Sequence, residues 1–514
     1  MGFKVDSLKK AYFIGIKGTG MCALAELLHH SGVSVSGSDR DETFYTDAIL
    51  KAEGIPYYES FDPSHIENDP PPDLVVYSAA YSFETNPEMA ETRRRNLEIL
   101  KYTDALGAYS GLFDSSGIAG VHGKTTTAAM TGAAIRGAGL PAKILAGSGV
   151  SAFGGRSTLS LGEKYFVAET CEYRRHFLAF HPRRIVLTSV EEDHQDYYPS
   201  YESIRDAFLE YCRLLPPGGS LIYCADDPGA AEAAETLKKE GRDISFIPYG
   251  FQAEGDWRIE SYEVKDERVM FRIRAFPGEL SLRIPGRHSC LNAAAALALV
   301  SSLVREEFGG PNSSGWNMER REGVRKALEE FGGSRRRSEI LGEAAGILFM
   351  DDYGHHPRAI KTTLAGLKEF YPRRRLVVSF MSHTYSRTAS LLDEFAASFD
   401  KADILALHRI YASAREQYAG GVTGLTLFEK TRDRLNDKEG LRVFYVEEPE
   451  DAAEPLAKLL RPGDLFITLG AGDNWKLGRK LLLFYKEKER EQGKSREQEK
   501  TEEKKENETR RQAV

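Results

Sequence analysis

Short apolar runs alternate with amphipathic stretches along most of this chain. Ala11–Ile14 is a compact apolar run, a turn with glycines at 15, 18 and 20 follows, and Met21–Leu28 has helical spacing. Val33–Asp39 reads as a second strand ending in an acid, and Asp73–Ala80 as a third. The same design recurs at Tyr165–Ala168, Arg184–Val190, Leu221–Asp227, Gly346–Asp352, Leu376–Ser382 and Asp464–Leu469. Strands separated by helical patterns predict βαβ units and parallel sheets with right-handed crossovers. Glu260–Ala275 alternates as strands instead. Ala293–Val300 is a helix with side chains so small that it should pack closely against a neighbour. From Lys486 to Val514 the chain is almost wholly charged and polar, either a solvated helical extension or a disordered segment.

A length of 514 residues is too great for one core. The pattern divides into a Rossmann-like domain over 1–106, a central phosphate-loop α/β domain over 107–330 and a second Rossmann-like α/β domain over 331–485, followed by the tail 486–514. Leu97–Leu106 should carry the chain from the first to the second. At 41% hydrophobic and 28% charged the composition is that of a soluble globular protein, and a net charge of −8 argues against a nucleic-acid partner. Nothing at the N-terminus has the apolar core of a signal peptide, and no run is long enough to span a bilayer. Five scattered cysteines without CxxC spacing fit a reducing cytoplasm and give no zinc signal.

The most informative stretch is GVHGKTTT, Gly120–Thr127, ahead of a helical pattern at Ala128, Ala129, Met130 and Ala133. Backbone N–H groups beside glycines close on phosphate oxygens, and a helix N-terminus favours their charge. Lys124 would reach the outer phosphates and Thr125 would hold Mg²⁺. Ile118 stands where the usual motif has glycine, so this is a shortened form. The first glycine turn fits a nucleotide diphosphate or a plain tight turn; Lys17 in the middle position speaks against NAD. Strand ends carry the remaining chemistry. Glu169 ends one strand, and Asp193, His194 and Asp196 follow another; they would emerge beside Glu169 if those strands are neighbours. An acid and a histidine there are candidate Mg²⁺ holders. His288 and Asn292 share a helical face if the helix starts early, or serve as turn and cap residues. His383 and Arg387 follow a further strand, and Arg387 suits a carboxylate or phosphate.

The motifs GIKGTGM (15–21), SGSD (36–39), GVHGKTT (120–126), EEDHQD (191–196), GRHSCLNA (286–293), FGGSRRR (331–337), DDYGHHP (351–357), HTYSRT (383–388) and GAG (470–472) occur in the order found in the Mur ligases of bacterial cell-wall synthesis, which this chain resembles. DDYGHHP points to the members that add L-alanine to UDP-N-acetylmuramate. The resemblance implies an ATP-dependent amide-forming ligase, cytoplasmic, monomeric or homodimeric, using ATP and Mg²⁺ and working through an acyl phosphate. It implies UDP binding through Gly15, Ile16, Gly18, Thr19, Gly20, Met21, Asp39 and Ser78. ATP would lie on Gly120, Val121, His122, Gly123, Lys124, Thr125 and Thr126, with His288 and Asn292 near the adenine and Arg336 also in contact. Thr125, Glu169 and His194 would hold the metal, and Lys124, His194 and Arg387 would be catalytic. His356, His383 and Arg387 would serve the amino acid as the third domain closes. A recycling ligase for a murein tripeptide and an inactive nucleotide sensor are the alternatives. The chain departs from the family at Val121, Ser189 and Thr384, and at Arg174 and Arg175, which reverse a usually acidic run. Arg175 is a candidate for the amino-acid carboxylate.

Overall fold

The computed structural model describes residues 8–67, 70–192, 197–310, 313–412, 420–435, 442–470 and 472–491. They divide between two units, Met1–Ser334 and Arg335–Val514. The first unit holds two sheets. One is five-stranded and wholly parallel, in the order Tyr57–Tyr58, Ser34–Ser38, Lys10–Ile14, Leu74–Tyr77, Ile99–Lys101. Its centre, Lys10–Ile14, is buried on both faces, as an unbroken apolar run requires. The stretch expected to link domains instead contributes its edge strand, Ile99–Lys101; the helix Tyr102–Ser110 then leads onward.

The other sheet has ten strands. Its parallel middle runs Ile244–Gly250, Gly219–Cys224, Arg184–Leu187, Asp114–Ala119, Tyr165–Glu169, Ala142–Leu145. Thr158–Ser160 finishes one side antiparallel; on the other, Trp257–Lys265 joins Ile244–Gly250 in parallel and Arg268–Ile273 and Phe276–Leu282 follow it antiparallel. One sequence expectation is corrected here. Tyr165–Glu169 and Arg184–Leu187 are not neighbours, because Asp114–Ala119 pairs with both and separates them. The phosphate-loop strand is therefore central, with chemistry arriving from either side. Two helices pack on it closely enough to explain their small residues. Ala293–Ala296 of the helix Arg287–Phe308 are fully buried. A Cβ on Gly137 of the helix Lys124–Ala138 would lie 2.4 Å from the Gly323 carbonyl of the helix Met318–Glu329, so these two meet backbone to backbone.

The second unit is a six-stranded sheet in the order Glu339–Ala344, Ile347–Asp352, Asp464–Gly470, Arg375–Met381, Ile404–Leu407, Arg442–Tyr445. Only the first pair is antiparallel. Phe349, Val377 and Phe466 form its core with Leu477, Leu481 and Tyr485 from the helix over 475–491. The charged segment predicted from Lys486 begins as the exposed end of that helix, where the Glu489 carboxylate accepts the Ala345 N–H at 2.7 Å. Residues 492–514 lie outside the described residues. No described helix is long and apolar enough to cross a membrane.

A buried acid joins the two sheets of the first unit. Glu26, on the helix Thr19–His30, is fully buried, accepts a hydrogen bond from Thr158 at 3.1 Å and lies 3.4 Å from the Arg156 guanidinium. Burial outweighs these partners and pushes its pKa from 4.5 up to about 7. A carboxyl with a raised folded-state pKa binds its proton more tightly when folded, so stability falls as pH rises from 4.5 through 7. A shift of that size corresponds to about 3 kcal/mol at most. Glu26→Gln should therefore raise unfolding free energy by about 1–3 kcal/mol at pH 8 and bring no gain at pH 4, as read from denaturant midpoints at the two pH values.

Candidate functional site

The glycine turn at 15–20 and the run at 120–126 have the same construction: a strand, a loop braced by the neighbouring strand end, and a helix whose first turn is left open. In the first, Gly15 and Ile16 both donate N–H to the Ser38 carbonyl, at 2.8 and 3.1 Å. Lys17 donates its N–H to Asp39 at 2.7 Å, and Gly18 to the Gly15 carbonyl at 3.2 Å. The helix begins at Thr19, so the N–H groups of Thr19, Gly20 and Met21 have no acceptor one turn back. Of the residues predicted for the sugar nucleotide, these three present donors. Ile16 is fully buried under the loop. Asp39 is spent on the loop: its oxygens accept from Lys17, from the Arg40 N–H at 2.9 Å and from the Tyr81 hydroxyl at 2.9 Å. Ser78 turns the next strand end, its N–H on the Ile14 carbonyl and its hydroxyl accepting from Ala80 at 3.3 Å.

Lys17, the residue that breaks the dinucleotide pattern, points inward. Its ammonium is buried, donates to the carbonyls of Arg40 and Glu42 at 3.0 Å each, and pairs with Glu59 at 2.9 Å and Asp47 at 3.3 Å. Burial opposes its charge, but Glu59 and Asp47 overcome this and raise its pKa. A glycine there could not hold the segment after Asp39.

The loop at 120–126 is braced from the strand Arg184–Leu187. Val121 donates its N–H to the Ser189 carbonyl at 3.1 Å, and His122 donates to the Ser189 hydroxyl at 2.9 Å. The Thr188 hydroxyl sits against the carbonyls of Ala119 and His122, at 3.1 and 2.5 Å. Gly123 adopts φ +82°, and a Cβ there would lie 2.7 Å from Asn292 Oδ1. Its helix starts at Lys124 without a side-chain cap, so the N–H groups of Lys124, Thr125 and Thr126 are first-turn donors. Asn292 holds the underside, accepting from the Thr127 hydroxyl at 3.2 Å, whereas His288 is exposed on the first turn of its own helix. The predicted shared face therefore splits between loop support and surface. The His122 ring is exposed, 3.4 Å from Glu191.

Glu169 ends the strand on the other side and accepts the Gly147 N–H at 2.7 Å. Its charge, after burial, raises the pKa of Tyr102, whose ring lies against Gly20 of the first loop. Asp193, His194 and Asp196 lie outside the described residues.

Three residues after Glu169 comes Glu172, which sequence reasoning did not assign. Its carboxylate is buried, with oxygens 2.9 and 3.0 Å from the Lys124 ammonium. Lys124 also donates to the carbonyls of Gly120 at 2.5 Å and Val121 at 3.2 Å. Arg174 and Arg175 follow in left-handed conformations, φ +51° and +58°, which non-glycine residues rarely adopt away from constrained sites. The Arg175 guanidinium is engaged with Glu210 on the helix Tyr201–Cys212, and Arg174 lies over the Tyr173 ring at 5.3 Å. Arg175, the candidate for the amino-acid carboxylate, is thus paired here with an exposed acid.

In the second unit the strand ends gather a separate cluster. Arg336, at φ +57°, donates to Asp351 at 3.2 Å, to the Gly472 carbonyl at 3.1 Å and to the Gly470 carbonyl, so its guanidinium is occupied within the unit. Burial pushes the Asp351 pKa up to about 6 despite Arg336. Arg387 donates to His383 Nδ1 at 3.2 Å, and the His383 ring stacks on Tyr411 with centroids 6.0 Å apart. His355 meets His383 edge to face at 5.4 Å and donates Nδ1–H to the Tyr353 carbonyl at 2.9 Å. Burial pushes its pKa down to about 4, so it is neutral at physiological pH. His356, predicted beside the amino acid, is the N-cap of the helix Pro357–Phe370 and accepts the Arg358 N–H at 3.3 Å. His355 was visible in the DDYGHHP motif; Tyr411 carried no signal in the sequence.

Two donor-lined helix starts on adjoining parallel sheets, one with a lysine and a threonine, define an α/β protein that handles phosphorylated ligands. Family comparison narrows this. The chain matches the Mur ligase family catalytic domain over residues 10–113, the Mur ligase middle domain over 118–300 and the Mur ligase glutamate ligase domain over 336–472. The UDP-N-acetylmuramate–L-alanine ligase of Treponema pallidum (strain Nichols) is 51% identical over 93% of this chain and 97% of its own length. That of Borreliella afzelii is 38% identical over 92% and 98%. Among solved structures, the UDP-N-acetylmuramate-alanine ligase MurC from Thermotoga maritima has the same fold, with a TM-score of 0.72 at 24% identity, over 93% of this chain and 99% of that one. The chain belongs to the Mur ligase family.

Gly123→Ala should weaken nucleotide binding by about tenfold or more, since it strains the backbone and drives a methyl against Asn292. Titration with a fluorescent ATP analogue checks this, and Ser189→Ala should produce a milder loss of about fivefold, near 1 kcal/mol.

Proposed function

We infer that this protein joins L-alanine to the lactyl carboxylate of UDP-N-acetylmuramate, consuming ATP and releasing ADP and phosphate. The observation that carries this reading is 51% identity, over nearly the whole chain, to a relative bearing that name. The braced loop at 120–126 supports it physically. In this reading the chain has three functional domains, meeting near residues 106 and 330, and works in the cytoplasm.

A carboxylate does not react with an amine unaided, because its leaving group is too poor. The lactyl carboxylate attacks the γ-phosphorus of ATP, and an acyl phosphate forms as ADP departs. The alanine amine attacks the acyl carbon, and the tetrahedral intermediate collapses with loss of phosphate. Lys124 and the first-turn N–H groups of Lys124, Thr125 and Thr126 hold the phosphate oxygens as charge shifts between them. Thr125 and Glu169 offer oxygen donors of the type that suits Mg²⁺, which when bound would neutralise phosphate charge; His194 is assigned to the same ion. Thr19, Gly20 and Met21 are assigned the diphosphate of the sugar nucleotide. His383 and Arg387 are assigned the amino-acid end, with His355 as a neutral partner.

Phosphate release from ATP tests this, with UDP-N-acetylmuramate and alanine, serine, glycine or a murein tripeptide as acceptor. Alanine should give the fastest release. Release with the tripeptide alone would indicate a recycling ligase, and release with none would remove the ligase reading. Lys124→Ala should lower kcat by about 100-fold or more, on the scale of losing one charge-stabilising donor.

A further inference from the structure

The geometry assigns Glu172 as a positioning residue for phosphoryl transfer: it fixes where the Lys124 ammonium stands over the phosphate loop. This deepens the ligase reading and rests on it only for the identity of the reaction.

Glu172 is 2% exposed, yet both of its oxygens lie within 3.0 Å of Lys124 Nζ. A carboxylate this deep is costly to part from its cation, so exchanging its lysine for solvent is strongly unfavourable. The lysine has three N–H donors. Glu172 takes one, and the Gly120 and Val121 carbonyls receive the others. These three acceptors are not equivalent. A loop carbonyl can yield its donor to a phosphate oxygen at little cost, because it is neutral. Glu172 yields it far less readily, because the buried carboxylate and the ammonium form an ion pair. The lysine should therefore pivot on Glu172 and exchange a carbonyl for phosphate.

The backbone that carries this carboxylate is itself held firmly. The Glu172 carbonyl accepts from the Tyr198 hydroxyl at 2.6 Å and from the Arg175 N–H at 2.8 Å, and Phe177 closes the turn onto the Cys171 carbonyl at 2.9 Å. Two successive left-handed arginines complete that turn. Strain of this kind persists where surrounding contacts over-determine the backbone, and here those contacts fix the residue that faces Lys124.

The test uses the full chain with Glu172→Gln, Glu172→Asp, Lys124→Ala and the double variant Lys124→Ala/Glu172→Gln. Glu172→Gln removes the charge; Glu172→Asp keeps it but falls short by one methylene. Both should weaken binding of a fluorescent ATP analogue at least tenfold and raise the KM for ATP, with the KM for UDP-N-acetylmuramate within twofold of wild type. In the Lys124→Ala background Glu172→Gln should cause no further loss, because its effect passes through the lysine. Unchanged nucleotide affinity in Glu172→Gln, or the same fold-loss with and without Lys124, would overturn the assignment. Should Glu172→Gln melt early, Glu172→Asp decides: weakened nucleotide binding at wild-type melting temperature supports it, and wild-type affinity overturns it. If wild-type protein binds nucleotide but forms no amide with alanine, the ligase reading fails while the binding data still judge Glu172.

Discussion

An anion-binding loop must satisfy two demands that pull against each other. Buried backbone groups need partners, yet the N–H groups that meet the phosphate must be left without one. Both glycine loops of the first unit meet these demands by borrowing acceptors from the neighbouring strand end. Ser38 and Asp39 consume the N–H groups of residues 15–17, and Ser189 consumes those of Val121 and His122. What remains open in each case is the first turn of the helix, where the macrodipole already favours negative charge. The parallel sheet makes this possible, because adjacent strands end at the same edge and deliver their polar ends side by side.

The same logic explains residues that look like departures from pattern. A glycine in place of Lys17 would suit a dinucleotide turn, but the lysine ties the segment 40–42 to the loop through two carbonyls and two acids. Ser189, where the family more often has asparagine, still supplies a side-chain acceptor for His122. Val121 contributes its backbone N–H to the brace, a role to which its side chain is indifferent.

The sequence made the fold legible because strand and helix periods alternate clearly and glycines mark the turns. Lys124 and Thr125 were legible as chemistry because a glycine loop leads into them, and Glu169 because it ends an apolar strand. Strand order was not legible: nothing in the apolar runs says that Asp114–Ala119 lies between Tyr165–Glu169 and Arg184–Leu187. Nor does residue type reveal how a side chain is spent. Asp39, Arg336 and His356 have the chemistry of ligand contacts, yet the structure occupies them with loop, strand-end and cap bonds respectively. Such competition between local and ligand partners depends on tertiary distances that spacing along the chain does not encode.

The charge reversal at Arg174 and Arg175 shows how far such a departure reaches. Two arginines inserted beside a phosphate site would compete for phosphate and repel a metal if their side chains turned inward. They do not: one lies over Tyr173 and the other is tied to Glu210. The left-handed backbone at both positions turns the chain sharply just after Glu172, so the acid and the arginines serve different partners. The reversal therefore alters the outer face of a turn, while Glu169 and Glu172 keep the inner face acidic. A sequence comparison that counts charge in this segment would expect a damaged site; the backbone conformation explains why the loop lysine still has its acid.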